Sequence, residues 1–321
     1  MTNENLDAYD TAENPNTPPE MLAQLARDDD WIIRATIASN PNTSVETLVQ
    51  LASDEFDNRD WHVRATVANN PHTPRRTLIQ LATDSSWGVR LAVAKSPNTP
   101  RETLAQLALA KDIDVRSAVA CNPGTPGETL AQLVKGVEDF QIRELVARNS
   151  NTTVEALIQL AKDNSFRVRG ATAKNTSTPA SSLVLLATDE YSEVRLEVAA
   201  NPNTPVATLE QLAKAKELYI REVVADNPGT PLDTVVQLLS YEDTQKSSIL
   251  VEVQPSTHVS TAVLEVSVIY PMPLALALGA YTWIKQNNAT PGERVFTTTT
   301  GEQVTIYYRG GSAFWKALSN D

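Results

Sequence analysis

Two hydrophobic patterns alternate through most of this chain, and each has a helical period. The first is a pair of leucines three residues apart: Leu22 and Leu25, Leu48 and Leu51, Leu78 and Leu81, Leu104 and Leu107, Leu130 and Leu133. A spacing of three puts both side chains on one face of a helix, helix A. The second is a branched residue, then Arg, then Ala four further on. It runs Ile33-Arg34 with Ala38, Val63-Arg64 with Ala68, Val89-Arg90 with Ala94 and Val115-Arg116 with Ala120, and continues around Arg143, Arg169, Arg195 and Arg221. On a wheel of about 100° per residue, the positions one before, three after and four after the Arg all lie within about 100° of it. So does the aromatic-rich position three before, with Trp31, Trp61, Trp87, Phe140 and Phe166. This second segment is helix B, and its recurring arc is the expected packed face.

Between helix B and the next helix A stands a short polar knot. It reads Asn14-Pro15-Asn16-Thr17-Pro18, Asn40-Pro41-Asn42-Thr43-Ser44, Asn70-Pro71-His72-Thr73-Pro74, Ser96-Pro97-Asn98-Thr99-Pro100 and Asn122-Pro123-Gly124-Thr125-Pro126, with further copies from Asn149, Asn175, Asn201 and Asn227. The period of about 26 residues lies in the range of solenoid repeats. The pattern predicts that Asn and Pro stop helix B, with Asn in the left-handed region and a positive φ at Gly124 and Gly229. Thr17 with Glu20, Thr43 with Glu46, Thr99 with Glu102, Thr125 with Glu128 and Thr152 with Glu155 have the spacing of capping boxes that start helix A. An asparagine ladder between neighbouring loops is a further expectation.

The Arg of helix B has two readings. Eight arginines in register (Arg34, Arg64, Arg90, Arg116, Arg143, Arg169, Arg195 and Arg221) could form an anion-binding ladder. The preferred reading is structural: a partly buried guanidinium whose donors satisfy loop carbonyls or a carboxylate such as Asp30, Asp60, Asp112 or Asp139. The positions that vary lie two before, one after and five after the Arg, and they form one stripe per helix. Stacked repeats turn such stripes into a continuous surface, the usual binding face of a solenoid. The candidate partner-binding residues on it are Ile32, Ala35, His62, Leu91, Gln141, Glu144, Arg167, Glu193, Tyr219 and Glu222.

Charge and composition narrow the function. The 321-residue chain carries a formal net charge of -12, which repels phosphate backbones and argues against nucleic acid as partner. Its one cysteine, Cys121, excludes an intrachain disulfide or a cysteine-based metal cluster. The three histidines, His62, His72 and His258, lie in separate repeats without ligand or triad spacing. Neither catalytic residues, a metal site nor a cofactor is expected. Residues 1–13 read as a polar tail without the apolar core of a signal peptide, which makes the cytoplasm the default location.

The run Asn-Pro-Asn-Thr-Pro-Pro-Glu-Met-Leu-Ala-Gln-Leu-Ala, followed by Asp-Trp-Ile-Ile-Arg-Ala-Thr-Ile-Ala, resembles the leucine-rich repeat variant family over about residues 14–253. The resemblance implies a HEAT-like α-solenoid of bacterial type, a right-handed superhelix of helix pairs with one helix partly 3₁₀. The family's cysteine-ligated iron–sulfur module has no counterpart here. The slightly longer unit leaves room for both helices to be fully α.

From about residue 242 the register decays. Ala262–Tyr270 alternates like a strand, Pro273–Lys285 reads as an apolar helix, residues 294–309 as a hairpin and Ser312–Leu318 as a short helix. Val266–Ile284 is uncharged and nearly long enough to span a bilayer, but Pro271 and Pro273 favour a buried strand and helix instead. The expected architecture is therefore mostly α: about nine helix-pair repeats over 14–253, then a small α+β domain over 254–321. The expected function is a non-enzymatic scaffold or adaptor that binds another protein through the helix B stripe, with the C-terminal domain as a second contact. A HEAT-like DNA-binding or DNA-repair-type solenoid is the alternative, and a membrane partner is disfavoured.

Overall fold

The computed structural model describes residues 3–55, 59–135, 139–231, 234, 237–238, 292–297, 303–308 and 317–319. The chain forms two compact units, Met1–Thr204 and Pro205–Asp321.

Unit 1 is an α-solenoid. It opens with α1 (Asn3–Glu13), followed by seven pairs of a short helix A and a longer helix B. The A helices are α2 (Pro19–Leu25), α4 (Val45–Leu51), α6 (Arg75–Leu81), α8 (Arg101–Leu107), α10 (Gly127–Val134), α12 (Val154–Leu160) and α14 (Ala180–Leu186). The B helices are α3 (Trp31–Ser39), α5 (Trp61–Asn69), α7 (Trp87–Lys95), α9 (Ile113–Cys121), α11 (Phe140–Arg148), α13 (Phe166–Lys174) and α15 (Ser192–Ala200). Each helix B packs on the next, beginning with α1 on α3, and each helix A packs against the B helices on either side. Helices of seven or nine residues are far too short to persist alone in water, so their stability comes from this stacking.

The leucine pattern and the branched residue of helix B build one continuous core. Leu22, Leu48, Leu78, Leu104 and Leu130 are fully buried, as are Val63, Val89, Val115 and Ile142. Each such side chain contributes about 1.5–3 kcal/mol on burial, and an isolated repeat could bury only one side of its set. Residues 3–13 are not a tail. Helix α1 takes the place of a helix B, with Ala12 fully buried one period before Ala38 and Ala8 where later repeats carry the Arg. Helix A is α throughout, and its end tightens by i→i−3 bonds such as Arg27 N–H to Gln24 O and Asp28 N–H to Leu25 O.

Two expectations for the knot are overturned. The threonine is not an N-cap. Its hydroxyl instead donates backward to a carbonyl six residues earlier in helix B: Thr43 to Ile37 at 2.5 Å, Thr99 to Val93, Thr125 to Val119 and Thr204 to Val198, each of these three at 2.6 Å. These carbonyls of the last turn of helix B accept from the cap residue's N–H three places on, and the threonine hydroxyl is a second donor to each. The N-cap is the next residue, usually proline (Pro18, Pro74, Pro100, Pro126), with no side-chain cap; Ser44 and Thr153 do cap, accepting from Thr47 N–H and Ala156 N–H. Nor does the Asn turn left-handed. Asn40 closes helix B in extended backbone at φ -68° and ψ 130°, and Gly124 does not adopt a positive φ. The extended cap turns the chain; proline follows it at most knots, but α11 and α13 end at the same cap with Ser150 and Thr176 in that place.

The asparagine itself ties repeats together. Its Nδ2 donates to two carbonyls of the preceding repeat, Asn122 to Ala94 O at 2.8 Å and Ser96 O at 3.0 Å, Asn175 to Ala147 O at 2.7 Å and Asn149 O at 3.0 Å. Its Oδ1 accepts from the backbone two residues on, as from Gly124 N–H at 2.8 Å. One buried side chain thus satisfies three backbone groups. Gly127 serves the same close approach: a Cβ there would lie 2.6 Å from the Asn151 carbonyl oxygen of the next knot.

Unit 2 contains α16 (Val206–Leu212), α17 (Leu218–Asp226) and a three-stranded antiparallel sheet in the order β1 (Gly292–Thr297), β2 (Gln303–Tyr308), β3 (Ala317–Ser319). Thr297 pairs with Gln303, and Val304 with Ser319. Ala317 and Leu318, read as the end of a terminal helix, are strand residues paired to β2. The strand read over Ala262–Tyr270 and the helix over Pro273–Lys285 lie outside the described residues, as does most of a ninth repeat. An α+β domain over 254–321 is therefore not supported as a whole.

Candidate protein-binding surface

Helix B presents two sets of side chains, and the arginine belongs to the buried one. Arg34 is fully buried: Nη1 donates to Asp28 O at 2.7 Å and Asp29 O at 2.9 Å, Nε to Asp54 Oδ2 at 2.6 Å and Nη2 to Asp60 Oδ1 at 2.7 Å. The carbonyls are those of its own A–B turn, and the carboxylates belong to the next one. Arg169 repeats the arrangement, with Nη1 on Asp163 O and Asn164 O and a two-pronged bond to Asp189 at 2.5 and 2.9 Å. Arg64 and Arg143 grip Asp84 and Asp163 in the same way. Arg90 reaches Asp112 at 2.6 Å, because the equivalent aspartate is replaced by Ala110. In Arg34, Arg64, Arg143 and Arg169 the guanidinium is committed to the chain itself, which argues against an anion-binding ladder; among the described residues Arg116 gives only Nη1, to Ala110 O and Lys111 O. Asp30 and Asp139 are not its ligands; they cap helix B through Ile32 N–H and Gln141 N–H.

The carboxylates respond to where they sit. Burial is the strongest influence on Asp54 and pushes its carboxyl above the ordinary range, with the charge of Asp60 acting in the same direction against the pull of Arg34 and Arg64. Its Oδ1 is buried without a hydrogen-bond partner among the described residues. At Asp189 burial also acts upward, but the bonds from Arg169 and Tyr191 N–H outweigh it and hold the group below its usual value. The bonds to Asp84, Asp163 and Asp189 raise Arg64, Arg143 and Arg169 further above their usual range.

The open face of helix B carries the rest. Gln141, Arg167 and Glu193 are exposed, and so are Tyr219 and Glu222 in unit 2; Ile32, Ala35, His62, Leu91 and Glu144 are half-buried. Ala35 and Leu91 pack against the core, which corrects the stripe: the position one after the Arg lies on the seam between B helices and is shared between core and surface. Glu144 is bonded along its own helix to Arg148 at 2.6 Å.

Of the aromatics three before the Arg, expected on the packed face, Trp31 and Trp61 do pack against the core and Phe166 is half-buried, whereas Trp87 and Phe140 stand open. Trp87 is 49% exposed and Phe140 36%. The rings of Trp31, Trp61 and Phe166 reach across to the next repeat, and with Trp87 and Phe140 they make a ridge along the array. Trp31 stacks on His62 with centroids 4.9 Å apart, and His62 stacks on Trp61 at 3.6 Å. Phe166 stacks on Tyr191 at 4.5 Å. A Cβ at Gly88 would lie 2.6 Å from the Trp61 ring, so only glycine leaves that ring its place. The recurrence of aromatics was visible in sequence; their reach into the next repeat was not.

Other chemistry is sparse. Among the described residues no group of three or more His, Cys, Asp or Glu side chains is placed to hold a metal ion, and no helix is long and apolar enough to cross a membrane. Cys121 is exposed, and partial burial of its thiol raises its pKa, the reverse of nucleophile activation. A shallow hollow on the knot side, lined by Arg101, Gly124, Gly127, Glu128 and Asn151 among others, brings together no nucleophile and base.

These features define the class: an α-solenoid of helix pairs, tied by buried Arg and Asn side chains, with one open face. Three stretches of the chain are similar to a known repeat family. Residues 61–86, 87–112 and 193–214 match the family profile described as leucine rich repeat variant. A solved structure titled as a leucine-rich repeat variant with a novel repetitive protein structural motif is 28% identical, over 65% of this chain and 81% of that one, at a TM-score of 0.49. The Escherichia coli protein YibA is 18% identical over 77% of this chain and 93% of its own, at 0.38, and an engineered protein 15% identical over 73% and 97%, at 0.23. No curated protein matches the chain.

Proposed function

We propose that this protein is a non-enzymatic scaffold whose open helix B face docks another protein, with residues 254–321 as a second contact. The observation that supports this most is the division of labour within helix B. Most recurring side chains, the leucines, branched residues, Arg and Asn, are buried or bonded within the array, and the side chains that differ two places before the Arg, such as Gln141, Arg167 and Glu193, are left at the surface. A surface free to vary on a rigid array is suited to recognition by shape and charge. The aromatic ridge beside it supplies rigid anchors of the kind that dominate protein interfaces. The reading assigns the protein to the cytoplasm, where a lone exposed thiol stays reduced.

The test is site-specific photo-crosslinking of the full chain in its native cells. A crosslinker at Gln141, Arg167 or Glu193 should trap a discrete protein, and one at Arg101 or Glu128 on the knot side should not. Adducts from the knot side with none from the open face would overturn the proposal.

A further inference from the structure

At three junctions between repeats, the ring three places before the ladder Arg meets the residue two places before the Arg of the next repeat; at another, Phe166 meets Tyr191 instead. The three are Trp31 with His62, Trp61 with Gly88 and Phe140 with Arg167. At the last of these a guanidinium lies over the ring, 5.9 Å from its centroid. One more ring of the ridge holds a guanidinium of this chain: Arg59 lies 5.9 Å from Trp31. The ridge therefore suits planar cations, which an aromatic face attracts through its quadrupole.

At the fourth repeat the same register pairs Trp87 with Asp114, a residue in the first turn of α9. Trp87 is the most exposed of the described tryptophans, and Asp114 is exposed too. The position that supplies a cation to Phe140 here supplies a carboxylate. Nearby Arg90 is committed to Asp112.

We infer that Trp87 and Asp114 form a subsite for a basic side chain, an arginine or lysine on a peptide segment of the docked protein. The incoming cation takes the place over Trp87 that Arg167 takes over Phe140, and Asp114 binds its N–H donors. The inference rests on the docking reading and adds the chemistry of what docks.

The test is fluorescence anisotropy of the full chain with a labelled Arg–Gly repeat peptide at about 0.15 M salt, a Glu–Gly peptide serving as control. The Arg–Gly peptide should bind and the Glu–Gly peptide should not. Trp87→Ala, which leaves the net charge unchanged, should weaken binding about tenfold, and Asp114→Asn should weaken it comparably. Asp114→Arg should abolish it, because the chain's own guanidinium then covers the ring. Asp29→Asn removes the same charge from another exposed turn and should leave binding within about twofold. Equal losses from Asp114→Asn and Asp29→Asn, undiminished binding by Trp87→Ala, or no binding of the Arg–Gly peptide would overturn the inference. The two Asp114 variants change an exposed residue and keep the test decisive if Trp87→Ala misfolds. Crosslinks from Gln141 or Glu193 alongside a peptide indifferent to Trp87 and Asp114 would sink this inference alone. Their absence would sink the docking reading.

Discussion

On one side of helix B, Arg169 is bonded to two carbonyls of its own turn and to both oxygens of Asp189 in the next repeat; on the other, Arg167 lies over Phe140 with its head in solvent. The two arginines are two residues apart and serve different ends. Arg169 is held where truncation would strand buried partners, and so its position tolerates little change. Arg167 could become Gln141, Glu193 or Asp114, as it does in other repeats, without stranding anything. The contrast explains why the array varies on one face only. Constancy follows from unmet backbone groups and buried carboxylates, and variability follows from solvent taking over whatever a side chain leaves.

The largest effect that would sharpen this contrast is expected at Arg34. Its removal in Arg34→Ala leaves Asp54 and Asp60 buried without their cation, at a cost of about 3–5 kcal/mol. Arg169→Ala leaves one carboxylate with more access to water and should cost less. Thermal or denaturant melts of the two variants give the order directly, and a smaller loss at Arg34 would break it. Next comes Asn122→Ala, which strands Ala94 O and Gly124 N–H, leaves Ser96 O with only Thr99 N–H, and should cost about 1–3 kcal/mol by the same melts.

Ser96 offers the converse. It is the knot that lacks the ladder asparagine, and Ser96→Asn should raise stability by about 1 kcal/mol by donating to carbonyls of the preceding repeat.

A smaller effect separates two links of the ladder by pH. Asp189 is lowered from 3.8, so its stabilisation is complete above that value and fades as pH falls through its folded-state pKa. The gap in melting temperature between wild type and Asp189→Asn should therefore shrink in acid. Asp54 is raised from 3.8, so the folded state holds its proton more tightly and wild type loses ground against Asp54→Asn as pH rises through that window. Melts from about pH 3 to pH 7 would show slopes of opposite sign, and slopes of one sign would refute the assignment. The smallest effects belong to the open face: Gln141→Ala and Glu193→Ala should each stay within about 0.5 kcal/mol of wild type.

Much of this was legible in the sequence, and the failures have physical causes. The leucine pairs and the branched residue before the Arg announced the core because burial enforces periodicity. The threonine was misread because Ser and Thr suit two jobs, capping the next helix or closing the previous one, and proline one residue later removes the choice. The aspartates that bind the Arg do recur 20 residues after it, at Asp54, Asp84, Asp163 and Asp189, but a wheel drawn within one repeat cannot show a partner in the next. The ridge escaped for the same reason. Trp31 and Trp61 lie on the buried arc of their own helix, and it is His62 and Gly88 of the following repeats that set where they end.

The division between a constant face that holds the array and a variable face proposed to dock a partner is tested most directly by changing only the second. A full chain carrying Gln141→Ser, Arg167→Ser and Glu193→Ser, all exposed, should melt within a few degrees of wild type, about the change expected of surface substitutions. In side-by-side affinity capture from the native cells it should lose the protein that the wild type retains. A variant that melts as wild type and still captures the same protein would contradict the account.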